Sequence, residues 1–420
     1  MHILIITDRF YPEITAPSFR ILEHSRKWIE LGNEVTVVTC APNFPRGELF
    51  PGYRNALYQE EIIEGIRVIR LFSYMAPNEK LVRRVLDYAS FMVSAILQSF
   101  RFPGFDLILA TSPPLFVPMA GCVISRLLDR PWIFELRDLW PDSIKAVGAL
   151  NGGIVSFTEK IELFLYRNSD HVISLTHSFK ENLVSRGIPA EKITVVENAV
   201  DTDFFHPTNV KLDARAALGV NGKDFLAGYI GTVGMAHGIE TIVHAASLCK
   251  DHEHLKFLIM GEGAERARIQ ELTNANGLKN VIIRDFIPRE QMPSYLSCLD
   301  AFLVHLRPDP IFRTVIPSKI FEAMAMEVPI IHAVEGESAC LVEDAGAGVC
   351  IPSGNAEKLA AEVIGLSAQK DRLTQMGRRG REVAKEKYSR EVKARDALKC
   401  MELLLEKRSQ QKHADAECEK

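Results

Sequence analysis

Short apolar runs recur along the chain at 2–7, 34–40, 107–110, 132–136 and 171–175. They recur again at 225–231, 255–261, 281–284, 301–304, 329–332 and 348–350. Longer stretches with apolar positions at helical spacing lie between them. Strand-length, β-branched runs alternating with amphipathic helices predict parallel, doubly wound α/β sheets, one in each half of the chain. The periodicity lapses over 195–207, Val-Val-Glu-Asn-Ala-Val-Asp-Thr-Asp-Phe-Phe-His-Pro, which predicts a link between two domains. From 369 onward the chain reads as helical and charged, with 410–420 frayed.

In such sheets ligands sit beyond the carboxyl ends of the strands, so the residues that follow each run carry the most weight. After 2–7 comes a loop and then a helix that places Arg20 and His24 four apart on one face, either solvated or facing a ligand. After 132–136 comes Arg137-Asp-Leu-Trp-Pro-Asp142, a charged pair on a rigid edge, read as a polar site or as a structural ion pair. After 225–230 comes Gly231-Thr-Val-Gly-Met-Ala-His-Gly238, where glycines permit the close backbone approach that phosphate requires. Gly261-Glu-Gly263 follows the next strand, a truncated dinucleotide-type turn whose third glycine is replaced by Arg266. The stretch 313–331 predicts a loop, a helix with Pro317 in its first turn, and a buried strand after Pro329. Lys319 falls in the first helical turn, where a cation is disfavoured unless an anion shares the site. Glu322 interrupts an apolar run and requires hydrogen-bond donors. Both residues equally fit a helix's wet side.

With 420 residues and 47% hydrophobic composition, the chain is long enough for two domains. A net charge of -4 argues against a nucleic-acid footprint over the whole surface. The eight cysteines are scattered, without zinc spacing and without a secretory leader before them, which points to a reducing cytoplasm. Pro113, Pro114 and Pro118 break the uncharged stretch 107–125 into strand, turn and helix rather than a membrane span. Residues 79–102 open with Lys80, Arg83 and Arg84 and continue apolar round most of the helix. This fits either an interfacial helix on anionic lipid or a helix buried on both sides. Asp201-Thr-Asp203 has metal-binding spacing but lies in the linker. No nucleophile elbow, zinc-protease helix or P-loop is present.

Taken together, the linker Asn198-Ala-Val-Asp-Thr-Asp-Phe-Phe-His-Pro207, Gly261-Glu-Gly263 and Ser318-Lys-Ile-Phe-Glu-Ala-Met-Ala325 resemble the retaining GT-B glycosyltransferases of family 4. Arg137-Asp-Leu-Trp-Pro141 and Pro317-Ser-Lys319 are similar to the branch that builds bacterial O-antigen, colanic acid and capsular polysaccharide. The resemblance implies two Rossmann-like domains, an acceptor domain over 1–197 and a nucleotide-sugar domain over 198–388. They would meet in an interdomain cleft, with 389–420 a helix returning toward the first domain. It also implies a UDP-sugar donor, an undecaprenyl-diphosphate-linked glycan acceptor, an anionic inner-leaflet surface as resting place, and no cofactor or metal. On this likeness Asp138, Arg137 and Lys319 are the catalytic candidates. Gly231, Thr232, Gly234, His237, Glu262, Phe286, Ser318, Lys319 and Glu322 are the donor-binding ones, with Glu322 on the ribose hydroxyls. The sugar implied is an N-acetylated 6-deoxyhexosamine such as N-acetyl-fucosamine. Three positions depart from the family: Thr314 stands where its first glutamate would be, Thr232 and His237 replace the phosphate-site arginine and lysine, and Ile14-Thr-Ala-Pro17 replaces a glycine-rich turn. A GT-B sugar-nucleotide epimerase and an inactive sugar-nucleotide-binding partner are the competing readings.

Overall fold

The computed structural model describes residues 1–77, 81–139 and 152–418. Glu79 and Lys80 of the basic helix, Trp140, Pro141 and Asp142 of the charged loop, and the final Glu419 and Lys420 lie outside the described residues. The chain divides into two compact units, Met1–Glu197 with Arg390–Lys420, and Asn198–Ser389.

The described residues of the first unit form eight strands: β1 His2–Ile6, β2 Glu34–Cys40, β3 Tyr58–Ile63, β4 Ile66–Leu71, β5 Leu107–Ser112, β6 Trp132–Leu136, β7 His171–Ser174 and β8 Ile193–Val195. Their order is β3-β4-β2-β1-β5-β6-β7-β8. All neighbours are parallel except β3 and β4, an antiparallel hairpin absent from the apolar pattern. The second unit carries β9 Phe225–Ile230, β10 Leu255–Met260, β11 Val281–Arg284, β12 Ala301–His305, β13 Ile330–Ala333 and β14 Gly348–Cys350. It is parallel throughout, ordered β11-β10-β9-β12-β13-β14. That is the dinucleotide-fold order, and it reverses between β9 and β12, so the ligand crevice opens at the carboxyl ends of those two strands. In the first sheet the corresponding reversal lies between β1 and β5.

Both sheets are apolar on both faces because helices cover them. One helix of the first unit comes from far along the chain. Arg390–Cys418 packs Ala394, Ala397, Leu398 and Met401 into one core with Ile21 and Trp28. Trp28 Nε1 donates to the Ala394 carbonyl at 2.8 Å. Residues 410–418, expected to fray, continue this helix, and Lys412 Nζ donates to Asp129 Oδ2 at 2.9 Å.

The helix Leu81–Gln98 has two unlike sides. Asp87, Phe91 and Ala95 are buried, whereas Val82 (72% exposed), Leu86 (51%), Val93 (48%) and Leu97 (71%) face outward, with Phe100 just beyond. It is therefore not a helix buried on both sides. An apolar stripe is exposed beside the exposed cations Arg83 and Arg101. No described helix is long and apolar enough to cross a membrane.

Candidate active site

In the second unit, the chain leaving β9 does not turn away at once. Gly231 N donates to the Met260 carbonyl and Val233 N to the Glu262 carbonyl, both at 2.8 Å, so 231–233 runs on alongside 260–262. This closeness explains the Gly261-Glu-Gly263 spacing. A Cβ on Gly261 (φ 144°) would lie 1.8 Å from the Gly231 carbonyl oxygen, and one on Gly263 (φ 154°) would lie 2.3 Å from that of Val233. These two glycines let two backbones touch. Past Gly234 a short turn, Met235–His237, ends at Gly238.

Lys319 closes the site from the far side of the crevice. It opens the helix Lys319–Ala325, one residue after the cap position Ser318, whose side chain makes no capping hydrogen bond. Pro317 precedes the helix rather than standing in its first turn, and Ile320, Phe321 and Met324 anchor the helix in the core. The Lys319 side chain lies on the glycine turn: a Cβ at Gly231 would be 2.8 Å from its Cε and 3.0 Å from its Nζ. Among the described residues its ammonium has no hydrogen bond or ion pair. Burial lowers its pKa, and the charge of Glu322 one turn on opposes that only in part.

Tyr229 at the end of β9 and His305 at the end of β12 complete the surroundings. The Tyr229 hydroxyl donates to the Thr232 carbonyl at 2.7 Å. His305 Nδ1 donates to the His237 carbonyl at 2.7 Å while its Nε2 accepts from Gly354 N at 3.2 Å. These two bonds specify a neutral ring with its proton on Nδ1, in accord with the pKa lowered by burial. His237, half-buried, is also held below the ordinary imidazole range by burial first, a hydrogen bond with the Gly234 backbone opposing and the charges of Lys319 and His305 adding to the fall. A cavity of about 200 Å³ lies among Tyr229, His237, His305, Pro317, Ser318 and Lys319. Tyr229 and His305 were not singled out in the sequence, although a histidine ending an apolar strand at a crevice is a visible signal.

The remaining donor-side candidates are placed differently. Gly231, Thr232 and Gly234 form the turn beneath Lys319. Glu262 and Phe286, after β10 and β11, are exposed and do not line the cavity. Glu322 is half-buried on the Lys319 helix. The Thr314 hydroxyl donates to the Ile311 carbonyl at 2.7 Å, closing its own turn. Asp201 accepts from the amides of Asp203 (3.1 Å) and Phe204 (2.9 Å), so in Asp-Thr-Asp its carboxylate shapes the linker turn.

In the first unit, Arg137 and Asp138 follow β6, both half-buried. Arg20 and His24 face neither solvent nor an open site: they are 1% and 2% exposed. Arg20 Nε donates to Glu135 at 2.9 Å, and its other nitrogens donate to the carbonyls of Glu197 and Val196. Burial alone would raise the Glu135 carboxyl, but Arg20 and then Arg137 hold it below the usual range. Burial drives the Arg137 pKa down to about 10, with Glu135 opposing and Arg20 and Arg390 adding to the fall. His24 is buried beside Arg20, Arg390 and Arg137 and stays neutral, its pKa pushed well down by burial first.

Two family profiles match the chain, one over each half, and known proteins align across both. Residues 19–204 match the sequence profile described as Glycosyltransferase Family 4, and residues 210–383 match that described as Glycosyl transferases group 1. The chain is 25% identical over 376 residues to WcaI of Escherichia coli K12, a protein assigned as a colanic acid biosynthesis glycosyl transferase; the match covers 86% of this chain and 91% of that protein. It is 24% identical over 247 residues to the amylovoran biosynthesis glycosyltransferase AmsK of Erwinia amylovora, covering 56% of this chain and 58% of that one. Among solved structures, sucrose-phosphate synthase from Thermosynechococcus elongatus superposes with a TM-score of 0.78 at 19% identity, over 96% of this chain and 98% of that one. Anabaena HepE in complex with UDP-glucose superposes at 0.70 and 15% identity, over 96% and 99%.

Proposed function

Because the chain belongs to the GT-B glycosyltransferases of group 1 and family 4, we propose that it moves a sugar from a UDP-sugar to a lipid-linked glycan in bacterial surface polysaccharide synthesis, with retention at the anomeric carbon. The observation that carries the donor half is Lys319, an ammonium without a counter-ion, laid on the Gly231 turn at the crevice between β9 and β12. A nucleoside diphosphate supplies the missing anion. As the sugar departs, negative charge grows on the diphosphate, and a cation already fixed and partly desolvated stabilises it without reorganising. Lys319 then does here what the family's arginine and lysine do elsewhere, since Thr232 and His237 bring no full charge. Glu322 would hold the ribose hydroxyls, and Glu262 with Phe286 the base from its open side. Arg137 and Asp138 belong to the acceptor half.

The names of WcaI and AmsK favour an extracellular polysaccharide as the product, and HepE, solved with UDP and with UDP-glucose, favours a UDP-sugar as donor. The sugar we favour is an N-acetylated 6-deoxyhexosamine, as for O-antigen assembly. The exposed stripe on Leu81–Gln98, with Arg83 and Arg101 beside it, favours a transferase resting on the inner face of the cytoplasmic membrane over a sugar-nucleotide epimerase, which has no lipid-linked substrate to reach.

Titration calorimetry tests the donor assignment. UDP should bind, and Glu322→Ala should weaken it by about 1.5–3 kcal/mol, the contribution of hydrogen bonds to a charged group. Wild-type affinity in that variant would remove Glu322 from the ribose. A screen of nucleotide sugars against an undecaprenyl-diphosphate-linked acceptor then identifies the sugar.

A further inference from the structure

Among the described residues of the cluster around Glu135, Arg137 is the cation left without a partner. Each arginine around it is committed: Arg20 to Glu135 and two carbonyls, Arg390 to Glu23, and Arg9 to Asp8 at 3.4 Å and Glu13 at 3.3 Å. Glu135 and Asp8, the two carboxylates whose charges reach Arg137, are thus already engaged by other guanidiniums. Arg137 itself makes no hydrogen bond or ion pair among the described residues, and its Nε is shut off from solvent without a partner. The residue as a whole is only half-buried, so part of it remains open to a ligand. His24, the other polar group of the cluster, is 2% exposed and neutral and supplies no acceptor charge.

A guanidinium left partly desolvated and unpaired at the ligand edge of a sheet is costly unless something it binds repays it. A planar fork of donors matches an oxyanion in bidentate geometry, which a neutral sugar hydroxyl does not match. We propose that Arg137 is the receptor for an oxyanion group carried by the acceptor, a phosphate or a carboxylate, so that the acceptor is recognised by its charge. This rests on the reading that the first unit binds the acceptor, and it gives Arg137 a binding role rather than one in bond breaking.

The test uses the full chain saturated with UDP, so that the second unit's anion site is filled. Inorganic pyrophosphate and glucuronate are then titrated separately, the first standing for a phosphate source and the second for an acidic sugar. One of the two should bind the wild type, at least tenfold more weakly in Arg137→Gln, with most of the affinity kept in Arg137→Lys. UDP affinity should be equal in all three proteins, and Arg137→Gln should melt no lower than the wild type, because it removes a charge without a partner. If neither anion binds, if Arg137→Gln binds like the wild type, or if that variant loses several degrees of melting temperature, the assignment fails and Arg137 is structural. Loss of UDP binding in the wild type would instead overturn the donor reading and leave the anion titrations, repeated without UDP, to decide this one.

Discussion

Substituting Gly261 by alanine probes the backbone contact on which the proposed donor site is built. The added Cβ would stand 1.8 Å from the Gly231 carbonyl oxygen, about 1.6 Å short of ordinary contact, which begins at 3.4 Å. Both sides of this clash are backbone, so no side chain can swing aside. One of the two strand extensions has to move, and the residue must in addition keep a φ of 144°, which L side chains rarely adopt. Backbone strain costs about 1–3 kcal/mol and forced overpacking a similar amount, for a total of about 2–6 kcal/mol. Against a domain stability of about 5–15 kcal/mol this is a large fraction. With a urea slope of about 1–3 kcal/mol/M, the unfolding midpoint of the second unit should fall by roughly 1–2 M. UDP affinity should fall with it, because the Lys319 side chain lies against the displaced Gly231 turn. Gly222→Ala, where nothing lies within 4 Å of the new Cβ, is the matched control and should leave both quantities unchanged. A Gly261→Ala protein with the wild-type midpoint would falsify the argument that these glycines exist for backbone contact.

Two further outcomes follow from the same chemistry. Lys319→Met should reduce turnover far more than it reduces uridine affinity, and equal losses in kinetics and calorimetry would make Lys319 a structural residue. The same variant should raise the melting temperature of the ligand-free protein at neutral pH: with a folded pKa below its unfolded one, the cost of keeping Lys319 charged is fully present below the folded pKa and is relieved as pH climbs toward 10.5. In sedimentation with anionic vesicles, Leu97→Asp with Phe100→Asp should release the protein while UDP still binds, whereas wild-type protein that ignores such vesicles would dismiss the membrane stripe.

Most of the parallel strands were legible because they are buried and therefore read as largely apolar runs. The hairpin β3–β4 was not, since Tyr58-Gln-Glu-Glu-Ile-Ile63 mixes charge into a strand at the sheet's edge. Its glutamates pair across the hairpin, Glu60 with Arg67 at 2.8 Å and Glu61 with the buried Arg70. The turn joining β3 and β4 is a two-residue loop in which Glu64 and Gly65 both take positive φ, as such a loop requires. Arg20 and His24 illustrate a limit of local spacing. Four residues apart, they share a helix face, but what covers that face is Glu135, which lies 115 residues away, and no local pattern reports it. Lys319 stood out for the opposite reason, because a cation in a first helical turn violates a local rule, and the structure does place it there.

The helix Arg390–Cys418 bears on the order in which this chain matures. It completes the core around Ile21 and Trp28, yet the ribosome delivers it only after all six strands of the second unit. The second unit closes on itself at its two ends, where Val200 N donates to the Tyr388 carbonyl at 2.9 Å and Val200 pairs with Ser389. Nascent domains generally fold as units, in the order of synthesis. Here the unit begun first must wait, its Trp28 indole and Glu23 carboxylate uncovered, until residues 390–401 emerge. The second unit can therefore be native before the first is, and a nascent chain displays no finished first unit until the second has already been made.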